Sequence, residues 1–127
     1  MRPKATVLTE QELEIMKVVW RSESVTVRDV YEDLLERRKV AYTTVMTMMR
    51  ILEDKGYLSR ESDAKASVYR PTKPKETVVG GMVSDFLNRV FEGSAKPLLL
   101  HLVDNREISA KEVDEIAKLL KSRKGGK

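Results

Sequence analysis

The sequence predicts a mainly α-helical protein with one small β-hairpin near its middle. Capping boxes, in which a Ser or Thr N-cap is followed three residues later by an acidic residue, open three segments whose apolar residues recur at helical spacing. Between the helices, two short runs of β-prone residues end at a pair of prolines, which is typical of a hairpin. The 127 residues, 41% of them apolar, suffice for one domain of ordinary size or a small domain plus an appendage.

The capping boxes predict helices over residues 10–20, 27–38 and 110–123. The pairs of N-cap and third helical residue are Thr9 with Glu12, Thr26 with Asp29, and Ser109 with Glu112. Each cap stabilises its helix by about 1 kcal/mol.

A further helix is predicted over residues 42–55, where Gly56 ends it because glycine tolerates the left-handed conformation after a helix. Its two faces differ in chemistry. The packing face is apolar and consists of Val45, Met48, Met49 and Leu52. The opposite face is small and polar and carries an arginine, Arg50.

Two strands are predicted at 57–61 and 66–70, and Ser24-Val25 is expected to add a one-bond bridge to this hairpin. Pro71–Lys75 has the composition of a linker. Helices over 76–92 and 97–103 follow it, and the last capping box opens the final helix.

The glycine pair Gly80-Gly81 lies inside the long predicted helix at 76–92. Each glycine costs about 1 kcal/mol relative to alanine. We therefore expect another helix to approach closely there.

Three helices followed by a two-stranded hairpin form a winged helix-turn-helix, in which the third helix enters the major groove and the hairpin, or wing, contacts the backbone or minor groove. We therefore predict a winged helix-turn-helix DNA-binding domain over residues 1–73 and a three-helix dimerisation region over 74–127. A net charge of +4 is compatible with nucleic acid, and equally with a merely basic protein.

The composition argues against an enzyme. There is no cysteine, which excludes disulfides, thiolate metal sites and cysteine nucleophiles. The single histidine, His101, excludes a multi-histidine metal site, and no catalytic or phosphate-binding motif occurs. We expect no cofactor and no metal. No apolar run approaches 18 residues and no signal peptide is visible, so we expect a cytoplasmic protein with no membrane partner.

Several stretches resemble the penicillinase-repressor (BlaI/MecI/CopY) family. The matching residues are Leu8, Thr9, Glu12, Glu14, Ile15, Met16, Val19, Trp20, Thr26, Val27, Asp29, Val30, Ala41 to Val45, Met48, Arg50, Leu52, Lys55 to Leu58, and Tyr69 to Pro71. The resemblance implies a homodimeric winged-helix repressor that binds a double-stranded, palindromic promoter operator of the TACA/TGTA kind.

The outer face of the helix at 42–55 is predicted to contact DNA through Thr43, Thr44, Met46, Thr47 and Arg50. The family's contact region maps onto these same positions. Thr44 is expected on phosphate, the other two threonines and Met46 on base edges, and the arginine on guanine or phosphate. A solvated helix face is the alternative.

Five further residues are predicted near DNA, and four of them have an alternative role. Arg28 contacts phosphate or forms a surface ion pair, and Tyr42 contacts phosphate or packs. Arg60 and Arg70 contact DNA or pair with Glu61 or Asp63 across the hairpin. Lys65, at the predicted wing tip, is expected on the backbone or in the minor groove.

Apolar residues of the C-terminal helices form either a core or a dimer interface, and the interface is favoured because so small a unit buries little surface alone. The predicted interface comprises Val79, Met82, Val83, Phe86, Leu87, Val90, Leu99, Leu102, Val113, Ile116 and Leu120.

Two other functions compete with a DNA-binding repressor. A winged helix used only for protein contact would show a larger apolar or acidic face on its third helix, and a small-molecule sensor would need a polar-lined pocket.

The resemblance also implies a regulatory protease or sensor partner, because β-lactam-responsive members are cut at an Asn-Phe bond in the short C-terminal helix. The matching bond here is His101-Leu102, and no Asn-Phe pair occurs. We predict that this chain is not switched off by that cut, so that either the partner protease has a different specificity or release works by another route.

Overall fold

The computed structural model describes residues 7–62 and 67–123, and this part of the chain folds into helices and one two-stranded sheet. In chain order the elements are α1 (Glu10–Ser22), α2 (Val27–Leu35), α3 (Tyr42–Asp54), β1 (Leu58–Ser62), β2 (Ser67–Pro71), α4 (Lys75–Phe91), α5 (Ala95–Asp104) and α6 (Ala110–Arg123). The predicted fold class, mainly α with a small wing, is confirmed.

All three predicted capping boxes form. In α1 the Glu12 amide donates to Thr9 Oγ1 at 3.1 Å and the Thr9 amide donates to Glu12 Oε1 at 2.9 Å. The boxes that open α2 and α6 repeat this geometry. Gly56 follows α3 with φ +91°, the left-handed conformation that the sequence predicted.

Two predicted boundaries differ from the structure. α2 ends at Leu35 instead of residue 38, because Glu36 and Arg37 turn to bond carbonyls three residues back. α5 begins at Ala95 instead of Pro97. The proline lies in the first helical turn, where its missing N–H leaves no helical hydrogen bond unmade.

The hairpin is antiparallel, with Leu58 opposite Pro71 at one end and Ser62 opposite Ser67 at the other. The predicted bridge also forms: the Val25 and Tyr69 amides each donate to the other's carbonyl, at 2.9 and 2.7 Å. The wing is therefore bonded to the segment between α1 and α2.

One apolar core joins α1, α2, α3 and the wing. Its fully buried side chains are Ile15, Met16, Val19, Val30, Leu34, Val45, Met49 and Leu52. Three of the four residues on the predicted packing face of α3 are fully buried in this core, and the fourth, Met48, is half-buried and packs against it. Burial of one face of α3 turns its opposite face to solvent.

The chain divides into two compact units, Met1–Met82 and Val83–Lys127. The division lies inside α4, further along than the boundary expected after residue 73. The start of α4 belongs to the first unit because Val78 is buried in its core and Met82 packs against it. None of the described helices is long and apolar enough to span a membrane.

Within the described part of this chain, no other helix lies beside Gly80-Gly81. A Cβ built at either position meets no atom within 4 Å. The side of α4 that carries Val78 and Met82 packs on the core, whereas both glycines are exposed.

Candidate nucleic-acid interface

The outer face of α3, defined as Thr43, Thr44, Met46, Thr47 and Arg50, is open to solvent. The three threonines and Arg50 are exposed and Met46 is half-buried. The face stands out because Val45, Met49 and Leu52 are 0% exposed on the other side of the same helix. Short side chains of this kind allow a helix to approach base edges closely.

Arg50 differs from the other arginines described in the first unit. Each of those has a carboxylate oxygen within 4 Å: they are Arg21, Arg28, Arg37, Arg38, Arg60 and Arg70. Among the described residues, Arg50 has no such partner. Its guanidinium therefore projects from the α3 outer face with its donors available for an external acceptor.

The start of α3 carries an aromatic and cationic cluster of Tyr31, Tyr42 and Arg28. The two tyrosine rings meet edge to face with centroids 5.3 Å apart, and the Arg28 guanidinium carbon lies 5.8 Å from the Tyr42 ring centre. Arg28 also pairs with Glu32 at 3.4 Å. The packing of Tyr42 and the surface ion pair of Arg28, which the sequence left as alternatives, are both present.

The wing arginines are held by single exposed ion pairs. Arg70 pairs with Glu61 across the hairpin at 3.6 Å, one of the predicted alternatives. Arg60 instead pairs with Glu53 of α3 at 3.5 Å, because the start of β1 runs beside the end of α3. Exposed pairs of this kind contribute about 0–1 kcal/mol, so phosphate competes with them easily. Lys65, the predicted tip contact, and Asp63 lie outside the described residues.

A buried ion pair behind α3 is a feature that the sequence prediction missed. Lys55, the C-cap residue of α3, donates from Nζ to Glu12 Oε1 at 2.7 Å and to the Val7 carbonyl at 3.0 Å. Burial works to raise the pKa of the Glu12 carboxyl, but the hydrogen bonds from Lys55 and Thr9 and the lysine charge outweigh it and hold that pKa below its ordinary value. No local spacing links residues 12 and 55.

The C-terminal unit exposes much apolar surface in this single chain. Of the predicted interface residues, Val83, Phe86, Val90, Leu99, Val113, Ile116 and Leu120 are all more than 40% exposed. Val79, Leu87 and Leu102 are half-buried. Met82 packs against the first unit's core instead. His101 on α5 is exposed, and its carbonyl accepts a hydrogen bond from the Asn105 side chain at 2.9 Å.

Comparison with known proteins identifies relatives along the whole chain. The penicillinase repressor family model matches residues 8–122. The penicillinase repressor of Bacillus licheniformis is 28% identical over 120 residues, which cover 94% of this chain and 94% of that protein. The transcriptional regulator BlaI of Mycobacterium tuberculosis is 34% identical over 125 residues, which cover 97% of this chain and 89% of the relative.

The fold of the first unit also has a solved counterpart. The solution structure of the DNA-binding domain of the repressor BlaI aligns with a TM-score of 0.51 and 28% identity, covering 56% of this chain and 87% of that chain. The first unit therefore has the winged-helix fold. Because the family model spans nearly every described residue and the relatives match over almost their full length, the chain belongs to the penicillinase repressor family.

Proposed function

We propose that this chain represses transcription in the cytoplasm as a homodimer, with the α3 outer face of each copy in the major groove of one half of a palindromic operator. That it is a DNA-binding transcriptional repressor follows from its family. The observation that carries the proposed DNA face is Arg50, which points outward from α3 without an acidic partner among the described residues.

Within this proposal the α3 side chains divide the work of recognition. Arg50 donates a bidentate pair of hydrogen bonds to guanine or phosphate, and the methyl groups of Thr43, Thr47 or Met46 contact thymine. Thr44 binds phosphate, as hydroxyl groups commonly do beside a recognition helix. These five side chains share one exposed side of a helix whose other side is anchored in the core.

Backbone contacts are assigned to the cations that flank α3. Tyr42, a neutral residue given the same role, opens α3, and Arg28 of α2 lies against its ring. Arg60 and Arg70 lie on the wing strands. All three arginines are more than 40% exposed in their ion pairs and can exchange a carboxylate for a phosphate at small cost. Lys65 extends the same role to the wing tip. These contacts give affinity that depends strongly on salt.

Dimerisation is supported by the apolar surface of the second unit. None of the side chains of α6 is buried, although Val113, Ile116 and Leu120 share one side of this helix. Exposed apolar surface of this extent is typical of an interaction site. A second copy is the partner that also supplies the second half-site contact of a palindrome.

Selection from a random-sequence DNA library identifies the operator without knowledge of its promoter. The selected sequence is expected to be a palindrome, and native mass spectrometry is expected to find two chains per duplex. Ile116→Asp should yield monomers, because it places a charge within the proposed interface. Lys111→Asp, on the opposite side of α6, is the matched control. A bound ratio of one chain per operator would contradict the proposal.

We also propose that a protease of different specificity or a sensor releases the operator, since no Asn-Phe bond is present. Incubation of the chain with lysate from induced source cells, followed by mass measurement, tests this. A fragment that ends at His101 would refute this proposal, because the family's cut would then be retained. Intact chain that leaves the operator on induction would support release without cleavage.

A further inference from the structure

The buried ion pair between α1 and α3 links the start of one helix to the end of the other. Glu12 is 5% exposed, and no other charged residue in the described part of the chain is buried. Its Oε1 accepts from the Thr9 amide at 2.9 Å and from Lys55 Nζ at 2.7 Å. One carboxylate oxygen therefore accepts both the capping-box bond of α1 and a bond from the C-cap residue of α3.

Stability alone does not explain this pair. Two charges lose hydration when they are buried, and their attraction often only repays that loss. An apolar pair of the same volume would hold the two helices together as well. A directional ion pair differs from apolar packing because it fixes one atom against another.

Apart from the edge-to-face contact of Tyr42 with Tyr31 and the exposed ion pair of Glu53 with Arg60, the contact of α3 with its surroundings is mostly apolar packing. Val45, Met49 and Leu52 pack as apolar groups, and α3 has no side-chain hydrogen bond at its N-cap, Ala41. At the other end of α3, by contrast, Lys55 bonds Glu12 and the Val7 carbonyl, and the Thr72 hydroxyl donates to the Gly56 carbonyl at 2.6 Å. The position of α3 along its axis is thus fixed mainly at its C-terminal end.

We propose that Glu12 and Lys55 are positioning residues for operator recognition: their buried ion pair sets the place of α3 relative to α1, and through it the distance of the α3 outer face from the base edges. This inference rests on the proposed DNA face. Base contacts need donor and acceptor atoms within a few tenths of an ångström of their correct separation, whereas phosphate attraction tolerates larger shifts. The pair therefore acts on discrimination between sequences more than on general DNA affinity.

The test is the double variant Glu12→Gln/Lys55→Met. Glutamine at the third helical position keeps the capping bond to Thr9, and methionine keeps much of the lysine stem. The variant therefore removes the ion pair together with the Lys55 bond to the Val7 carbonyl. Anisotropy titrations measure the ratio of the dissociation constants for scrambled and operator DNA. We expect this ratio to fall by about tenfold or more, which is the discrimination of one good base contact. Affinity for scrambled DNA and the salt slope should stay unchanged.

Glu14→Gln/Arg38→Met is the matched control. It removes a more exposed ion pair of 2.8 Å that joins α1 to the segment after α2 and does not touch α3. Its discrimination ratio should equal that of the parent chain. If the first double variant loses its folded circular dichroism spectrum, Lys55→Met alone, which removes both Nζ bonds, carries the same expectation.

The outcomes separate this inference from the proposed function. A parent chain that does not discriminate operator from scrambled DNA overturns the proposed function. A parent chain that discriminates, together with a folded variant that discriminates equally well, overturns the positioning role. Equal losses on both DNAs also overturn it, since the pair would then act only on general affinity.

Discussion

Replacement of Arg50 by alanine should abolish most operator discrimination without weakening the fold. Arg50 is exposed on α3 and has no carboxylate partner among the described residues, so its removal breaks no ion pair there. Alanine and arginine both have high helix propensity. The free energy of unfolding should therefore change by less than about 0.5 kcal/mol, as for ordinary surface substitutions.

The loss in binding is expected to be much larger. One good bidentate contact to a base supplies about 1–3 kcal/mol of discrimination. A homodimer places Arg50 in both half-sites, so the complex should lose about 2–6 kcal/mol, or roughly 30-fold to more than 10⁴-fold in operator affinity. Anisotropy titrations on operator and scrambled duplexes measure this loss, and circular dichroism monitors the fold.

Lys17→Ala is the charge-matched control, because Lys17 is an exposed cation of α1 to which no DNA contact is assigned. It should lose little operator affinity. An Arg50→Ala chain that is folded and binds its operator with unchanged affinity would refute the assignment of the DNA face. Equal losses on operator and scrambled DNA would instead make Arg50 a phosphate contact and refute its role in base recognition.

Three further outcomes are expected. Lys65→Ala should weaken binding to all sequences alike and reduce the salt slope by about one unit, as measured by titrations at several salt concentrations. Glu23→Gly should raise the unfolding free energy in urea by about 0.5–1 kcal/mol, because Glu23 has φ +71° in a tight turn closed by a 2.8 Å bond from the Ser24 amide to the Ser22 carbonyl. The lowered pKa of Glu12 means that its ion pair stabilises the fold above the ordinary glutamate pKa and loses that effect as pH falls through the lowered value. Urea unfolding at several acidic pH values should therefore show a smaller loss of stability in Glu12→Gln than in the parent chain.

Local patterns in the sequence determined most of the architecture. The N-cap and N3 residues are neighbours in the chain, so the three capping boxes were visible before any fold was known, and all three form. The apolar period of α3 likewise predicted which side packs, and Gly56 predicted where the helix ends. Because the outer face of α3 is the complement of its packing face, the exposure of that outer face was also predictable from spacing.

Tertiary structure decided the contacts between residues that are distant in the chain. Arg60 bonds Glu53 instead of a hairpin acid because the end of α3 meets the start of β1. Met82 belongs with the first unit because the start of α4 packs on that unit's core. The pair of Glu12 with Lys55 bridges 43 positions. The sequence does not show which acid a basic residue will pair with, because an ion pair depends on where two distant parts of the backbone meet. Helical period and capping depend only on residues that are neighbours in the chain. The sequence therefore determined the helices and strands, and the tertiary structure determined how α3 is held.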